Sequence, residues 1–341
     1  AVVTAIRVCI LVRVNGIIMT RAFVELITHS IAISVRRIRP ASDVQRANQL
    51  TAAIAIWHAG RWVFQSVVTV FDIDEKALSF FSQRDVGHTS SPAELATRAD
   101  LILLSLPSPA VVDVVVFGKD GIIQGSKPGQ IIVDCGTAGY FWTQNFSESL
   151  KEHGLRFADA PVTGLEQRAK DATLTIMYGG TQDLLQDIRP VLEAIGNKIV
   201  NMGDIGSGQL AKMINNILYN ANMAALAEVL PMAAKLGLEP EKVAEIINSG
   251  SGQSFASKFF IPSILENCFD QSYSLNNAYK DMQNAAEISA HYKIPLPMVN
   301  TAMTTYQTAL FLGFGAEDKG AMIKVFENTL KVAFRRKAKG N

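Results

Sequence analysis

A doubly wound α/β fold, with a parallel Rossmann-type sheet followed by an all-helical C-terminal domain, is what this 341-residue sequence predicts. Three observations carry that prediction. Between residues 67 and 202, short and nearly all-apolar β-rich runs alternate with helical stretches, as in a parallel sheet covered on both faces. Beyond residue 206 such runs stop and helical periodicity continues almost to the end. Acids, prolines and glycines follow the apolar runs, where sheets of this kind bind ligands beyond the carboxyl ends of their strands.

The elements follow in order. Residues 67–71 form a β-rich run ending in Asp72, and 75–81 read as helix. Ser91-Pro92-Ala93-Glu94 opens a second helix, with proline in its first turn where a missing N–H costs nothing. Residues 101–106 and 131–134 are two further apolar strands. A strand then enters the turn 159–164, a loop leads to a strand at 174–178, and a strand at 198–202 reaches the Gly206-Ser207-Gly208 turn. Residues 239–248, 257–266, 275–291, 297–312 and 318–334 carry helical spacing.

The predicted organisation is an Arg-rich segment at 1–65, a dinucleotide-binding α/β domain at 66–206, a helical substrate and dimerisation domain at 207–334, and a basic tail at 335–341. The first segment holds eight arginines, no lysine, and only Glu25 and Asp43 as acids, whereas lysines outnumber arginines seventeen to seven after it. That shift fits a transit segment, a stretch foreign to the domain behind it, or a divergent start of the Rossmann fold.

Composition excludes several classes. A formal net charge of +1 gives no hint of a nucleic-acid or membrane partner, and the sequence contains no long uncharged apolar stretch of transmembrane type. Cys9, Cys135 and Cys268 are odd in number and far apart, which points to a reducing, cytoplasmic setting rather than a disulfide framework; a mitochondrial one is the alternative if the start is a transit segment. The five histidines are scattered without metal-ligand spacing, so no metal is expected.

Two features carry chemistry. Asp72 ends what reads as the second strand of a dinucleotide fold, where an acid accepts hydrogen bonds from the adenosine ribose and repels a 2′-phosphate; an ordinary strand-end turn residue is the alternative. Ile73 stands where an arginine would favour NADP, so NAD is expected, with NADP as the alternative. The glycine-rich phosphate loop expected about twenty residues earlier is missing, since that region holds Gly60 alone between Trp57 and Trp62. A second candidate is AIRVCILVRV, Asn15-Gly16, then IIMTRAFVELITH, which also has a single glycine. The other feature is Lys212 and Asn216 in GSGQLAKMINNILYN, four residues apart on one helix face. An amine and an amide so placed can hold a hydroxyl beside a carboxylate, and the apolar neighbours Leu210, Met213, Ile214, Ile217 and Leu218 predict that this helix is mostly buried; a solvated face is the alternative.

The ordered segments VFDIDEKA, LPSPAVVDVV, VDCGT, FADAPVTG, LTIMYGG, GSGQLAKMINN and LNNAYKDMQNA resemble the β-hydroxyacid dehydrogenase family, the group of 3-hydroxyisobutyrate and 6-phosphogluconate dehydrogenases, over residues 67–334. The resemblance implies Lys212 as general acid and base, Asn216 as the amide orienting substrate, and Asn215 as its neighbour in the motif. It implies that Thr163 and Gly164 receive the substrate carboxylate, and that Leu106, Pro107, Val111 and Thr137 line the cofactor, reached also by Lys280. Asp281 is expected to brace its helix. Where the family reads serine-glycine-glycine, this chain has Thr163-Gly164-Leu165, and Arg168 replaces a glycine; Leu165 should narrow the loop, while Arg168 either adds charge near the substrate or is solvated.

The expected function is NAD(P)-dependent hydride transfer between the cofactor and a small-molecule substrate, a 3-hydroxy acid or the matching semialdehyde, in a cleft between the two domains. An inactive binding or scaffold protein is the alternative, because the phosphate loop is missing. Apolar helices at 222–236 and 297–312 exceed what one small helical domain can cover, so a homodimer or homotetramer is expected.

Overall fold

A computed structural model of the chain describes residues 7–12, 53–58, 61–82 and 86–336. The chain divides into two compact units, Ala1–Lys212 and Met213–Asn341.

The strands of the first unit are β1 (Arg7–Val12), β2 (Ala53–His58), β3 (Arg61–Phe71), β4 (Gly87–His88), β5 (Leu101–Ser105), β6 (Ile131–Asp134), β7 (Arg156–Asp159), β8 (Val162–Thr163), β9 (Leu174–Gly179) and β10 (Gly196–Gly203). Its helices are α1 (Glu75–Ser82), α2 (Pro92–Arg98), α3 (Pro109–Phe117), α4 (Tyr140–Glu152), α5 (Leu165–Lys170) and α6 (Gln182–Glu193). Among the described residues the sheet runs β10-β9-β7-β6-β5-β1-β3-β2, with β4 also on β3 and β8 on β9.

The contiguous run β4-β3-β1-β5-β6-β7 is parallel throughout. In chain order it is the doubly wound dinucleotide arrangement, whose direction of winding reverses between β1 and β5. The strands are apolar on both faces because both are covered. Leu101, Leu103, Val133 and Ala158 face one buried cluster with Val68, Val70, Ile176 and Ile188. Ile102, Leu104, Ile132 and Phe157 face the other with Leu95, Val112, Val116, Phe146 and Leu150.

β1 holds the central place of the parallel run, between β3 and β5, where a dinucleotide fold has its first strand. The stretch around Gly60 is not that strand, because β2 folds back antiparallel on β3 in a hairpin. The candidate turn at Asn15-Gly16 lies outside the described residues.

The helix α7 (Ser207–Lys235) begins in the first unit and continues into the second. There it is joined by α8 (Pro240–Ser249), α9 (Phe255–Leu265), α10 (Leu275–Tyr292), α11 (Pro297–Phe311) and α12 (Ile323–Leu330). Ser254 and Ser274 cap α9 and α10 by accepting backbone N–H groups at their third residues. The segment expected as one helix from 318 splits into a 3₁₀ turn, Lys319–Met322, and α12. Asp318 accepts the Gly320 N–H at 2.8 Å and so starts that tighter turn. Met223, Leu230, Phe260, Ile264, Met282, Tyr306, Ile323 and Phe334 form the buried interior of this unit.

The expectation that α7 is mostly buried holds for Met213, Ile217, Met223, Ala224 and Leu226, but not for one flank: Ile214, Leu218, Val229 and Met232 are 42–62% exposed, because a helix that is apolar all round covers only the side turned to its own neighbours.

Candidate functional site

The cofactor-side residues gather along the carboxyl edge of the parallel sheet. Asp72 follows β3, is 3% exposed, and its Oδ1 accepts the Asp74 N–H at 2.9 Å. Leu106 is buried just beyond β5, Pro107 is exposed, and Val111 lies in the first turn of α3. Thr137 is exposed in the loop after β6. Within that loop a Cβ on Gly136 would come to 3.0 Å from the Leu106 carbonyl oxygen and from Asp134 Oδ1, so the two loops are in close backbone contact. A buried acid beyond the second parallel strand and tightly packed backbone beside the winding reversal fit a dinucleotide.

The start of α7 is bound to the same edge by buried polar groups. Asp159, at the tip of β7, accepts the N–H of Gly206 at 2.7 Å on Oδ1 and of Gln209 at 2.8 Å on Oδ2. The Gln209 side chain is 1% exposed; its Oε1 accepts the Ala138 N–H and its Nε2 donates to the Gly136 carbonyl, both at 3.0 Å. Gly208 allows this contact: a Cβ there would meet the Met177 carbonyl oxygen at 2.3 Å. The Lys212 helix is therefore locked to the loops after β6 and β7, with Lys212 three residues past Gln209 and partly buried.

Two carboxyl groups are confined there. Burial pushes Asp134 up to about 7 against the pull of the Gly136 N–H, with the Asp159 carboxylate adding to the rise. Burial likewise pushes Asp159 up to about 6, opposed first by the Gly206 and then by the Gln209 N–H.

Thr163, in β8, is opposite Thr175 of β9. Gly164 then takes φ +144° and Leu165 φ +59°. Leucine thus occupies the left-handed conformation at the position where the family motif has glycine. Arg168 is not a solvated loop residue: it is partly buried, and Nη2 donates to the Thr173 carbonyl and, at 3.3 Å, to Thr175 Oγ1, the strand partner of Thr163, clasping the loop to β9.

In the second unit Asn216 is 7% exposed and donates from Nδ2 to Asp281 Oδ2 at 3.0 Å. A carboxylate only accepts, so this bond fixes which way the amide faces. Asn215 is exposed and donates to Asn216 Oδ1 at 3.2 Å. Lys280 is exposed, and it is Asp281 beside it that holds Asn216, as expected of a bracing residue.

Sequence reading missed the Asp159 cap, the Gln209 bridge and a lysine buried in the helical unit, Lys319. The signal for the first was present: an acid ending an apolar strand, repeated in Asp134 and Asp159.

Residues 64–203 match the family described as the NAD binding domain of 6-phosphogluconate dehydrogenase. Residues 206–326 match the NAD-binding family of NADP-dependent 3-hydroxyisobutyrate dehydrogenase. The chain is 33% identical over 267 residues to 2-(hydroxymethyl)glutarate dehydrogenase of Eubacterium barkeri, covering 78% of this chain and 89% of that protein. It is 30% identical over 256 residues to a probable mitochondrial 3-hydroxyisobutyrate dehydrogenase of Dictyostelium discoideum, covering 73% and 80%. A crystal structure of 3-hydroxyisobutyrate dehydrogenase from Salmonella typhimurium superposes with a TM-score of 0.75 at 22% identity, over 94% of this chain and 100% of that one, which shows the shared fold.

Proposed function

Because the chain belongs to the β-hydroxyacid dehydrogenase family of NAD(P)-dependent oxidoreductases, we propose that it oxidises a small 3-hydroxy acid to the semialdehyde, or reduces the semialdehyde, with Lys212 as general acid and base. The observation that carries this reading is the anchoring of the Lys212 helix to the cofactor edge through Asp159 and Gln209. A general base works only if held within hydrogen-bond reach of its proton, and this anchor fixes its starting point.

The bound nicotinamide supplies the hydride acceptor. Lys212, in its neutral form, takes the proton from the substrate hydroxyl as the carbon–hydrogen bond breaks, and returns it in reduction. Asn216, one turn on and oriented by Asp281, keeps a second N–H for the substrate oxygen. The Thr163 hydroxyl and the Gly164 backbone receive the carboxylate. Asp72 accepts the ribose hydroxyls and disfavours a 2′-phosphate, so NAD is the preferred form.

The substrate class rests on the relatives. 2-(Hydroxymethyl)glutarate, 3-hydroxyisobutyrate and L-serine, named in dehydrogenases 28–33% identical to this chain, share a primary alcohol one carbon from the carboxylate-bearing carbon. We further propose that the apolar flank of α7, from Ile214 to Met232, is covered by a second copy of this chain, since its exposed residues recur at helical spacing as one stripe. Light scattering on the purified protein then gives a dimer or tetramer, and Leu218→Glu shifts it toward monomer.

Titration with NADH and NADPH, followed by initial rates on 3-hydroxyisobutyrate, L-serine and 2-(hydroxymethyl)glutarate with lactate as control, tests the enzymatic reading. Saturable cofactor binding and turnover of a 3-hydroxy acid but not lactate are expected. No saturable binding of either cofactor would overturn it.

A further inference from the structure

We propose that Lys319 is a positioning residue that holds the Asn216 amide in register from inside the helical unit, acting through Asn220; the inference rests on the role given to Asn216 above.

Lys319 is 0% exposed in the 3₁₀ turn before α12. An ammonium removed from water is costly unless its donors are taken up. Here Nζ donates to Tyr273 Oη at 2.9 Å and to Asn220 Oδ1 at 3.1 Å. It also lies 3.6 Å from the ring centre of Tyr219 and 4.4 Å from that of Tyr273, where the negative ring faces attract a cation.

The consequence falls on Asn220. An ammonium has donors only, so the Asn220 oxygen must face it, and the amide nitrogen must face the other way. That nitrogen donates to the Ala278 carbonyl on α10 at 3.2 Å. Three residues along α10 is Asp281, which holds Asn216 Nδ2. Asn216 and Asn220 are one turn apart on α7, so two amide rungs tie the same flank of α7 to the same turn of α10. The second rung cannot reverse without placing an N–H against the buried ammonium.

The preceding residue brings Tyr273 into place. Asp318 donates its N–H to the Phe269 carbonyl at 2.8 Å and accepts the Gln271 N–H on Oδ2 at 2.9 Å. Tyr273 directly precedes Ser274, the cap of α10. Asp318 thus fixes the approach to α10, and Lys319 fixes the rotation of α10 against α7.

The test is a cycle on the full chain with Lys319→Met, Asn216→Ala and the double variant, assayed with NAD and 3-hydroxyisobutyrate or L-serine and by backbone hydrogen exchange. Methionine fills similar volume without donating. Lys319→Met should raise the hydroxy-acid KM about tenfold, with kcat changed less than about threefold and NADH affinity unchanged. In the Asn216→Ala background it should raise KM no further. Amides at 216–220 and 278–281 should exchange faster while the sheet keeps its protection. Independent, multiplicative KM effects, or unchanged exchange at those amides, overturn the proposal. If Lys319→Met does not fold, Tyr273→Phe and Asn220→Ala must each raise KM in the same direction, and no change in either overturns it. If the wild-type chain neither binds NADH nor turns over these acids, the enzymatic reading fails by itself, and the exchange pattern still decides whether Lys319 sets the register.

Discussion

Gln209 donates its backbone N–H to Asp159 Oδ2 at 2.8 Å, so a buried carboxylate at the tip of β7 caps the helix that carries Lys212. The other oxygen takes the Gly206 N–H at 2.7 Å. Helix starts leave N–H groups without helical partners, and here two of the amides at that start are satisfied by one side chain. Asp159→Ala leaves both without an acceptor in a dry environment, so unfolding in urea should show a loss of about 2–4 kcal/mol. A loss below about 0.5 kcal/mol would mean that the cap contributes little.

The neighbouring carboxyl gives a pH dependence of definite sign. Asp134 is held up to about 7 and Asp159 to about 6, burial being the largest cause for each, against an ordinary value of 3.8. Both groups bind protons more tightly folded than unfolded. Their contribution is therefore fully present below about pH 4 and lost as pH rises through about 6 and 7. Unfolding free energies at pH 5 and pH 8 should differ by on the order of a few kcal/mol, lower at pH 8. Asp134→Asn keeps an acceptor for the Gly136 N–H but cannot ionise, so it should shrink that difference. An undiminished difference would remove Asp134 as its source.

Lys212→Ala is expected to lower kcat by about a hundred- to ten-thousand-fold, the range for loss of a positioned acid-base group. The melting temperature and the NADH affinity should stay close to those of the parent, because Asp159 and Gln209 hold the start of α7 in the variant as well. A variant that retains more than a tenth of parental kcat would place the proton transfer elsewhere.

These residues also show what a sequence discloses. Strands β5 and β6 were readable because burial on both faces leaves them apolar along their length. Lys212 and Asn216 were readable because their pairing is set by helix spacing within five residues. β1 was harder to place, since its parallel partner β3 is more than fifty residues away. PAVVDVVVF has the valine content of a strand, yet Pro109 in its first turn and burial of Val112 and Val116 go with the helix α3. Asp159 and Gly206 are 47 residues apart, and Asn220 and Lys319 are 99 apart. No local spacing announces such partners, and a lysine in a 3₁₀ turn reads as solvated until its tyrosine and amide partners are located. The partners of Arg168 were hidden for the same reason: they are the Thr173 carbonyl and the Thr175 hydroxyl, at and just before β9, which no charge pattern reveals.

Cofactor choice should answer to Asp72. Its carboxylate is 3% exposed, with one oxygen bound to the Asp74 N–H. An acid at this place favours a ribose with free hydroxyls and repels a phosphate on the 2′ oxygen. Fluorescence titration of the parent should give tighter binding of NADH than NADPH. Asp72→Ala should weaken NADH and narrow the ratio by about tenfold, equivalent to about 1.4 kcal/mol. A ratio that does not move would leave Asp72 as a strand-end turn residue.

The last prediction concerns Leu165, whose φ of +59° is costly for a residue with a Cβ. The left-handed conformation costs a non-glycine residue roughly 1–2 kcal/mol. Glycine takes it freely but is looser when unfolded, which offsets part of the gain. Leu165→Gly should therefore stabilise the chain by ~0.5–1 kcal/mol in urea unfolding, with unchanged slope. Removing the side chain also widens the loop beside Thr163 and Gly164. Relative kcat/KM should shift from 3-hydroxyisobutyrate toward the larger 2-(hydroxymethyl)glutarate. If the variant is instead destabilised and its preference is unaltered, the leucine side chain contributes packing that exceeds the backbone strain, and it does not shape the substrate loop.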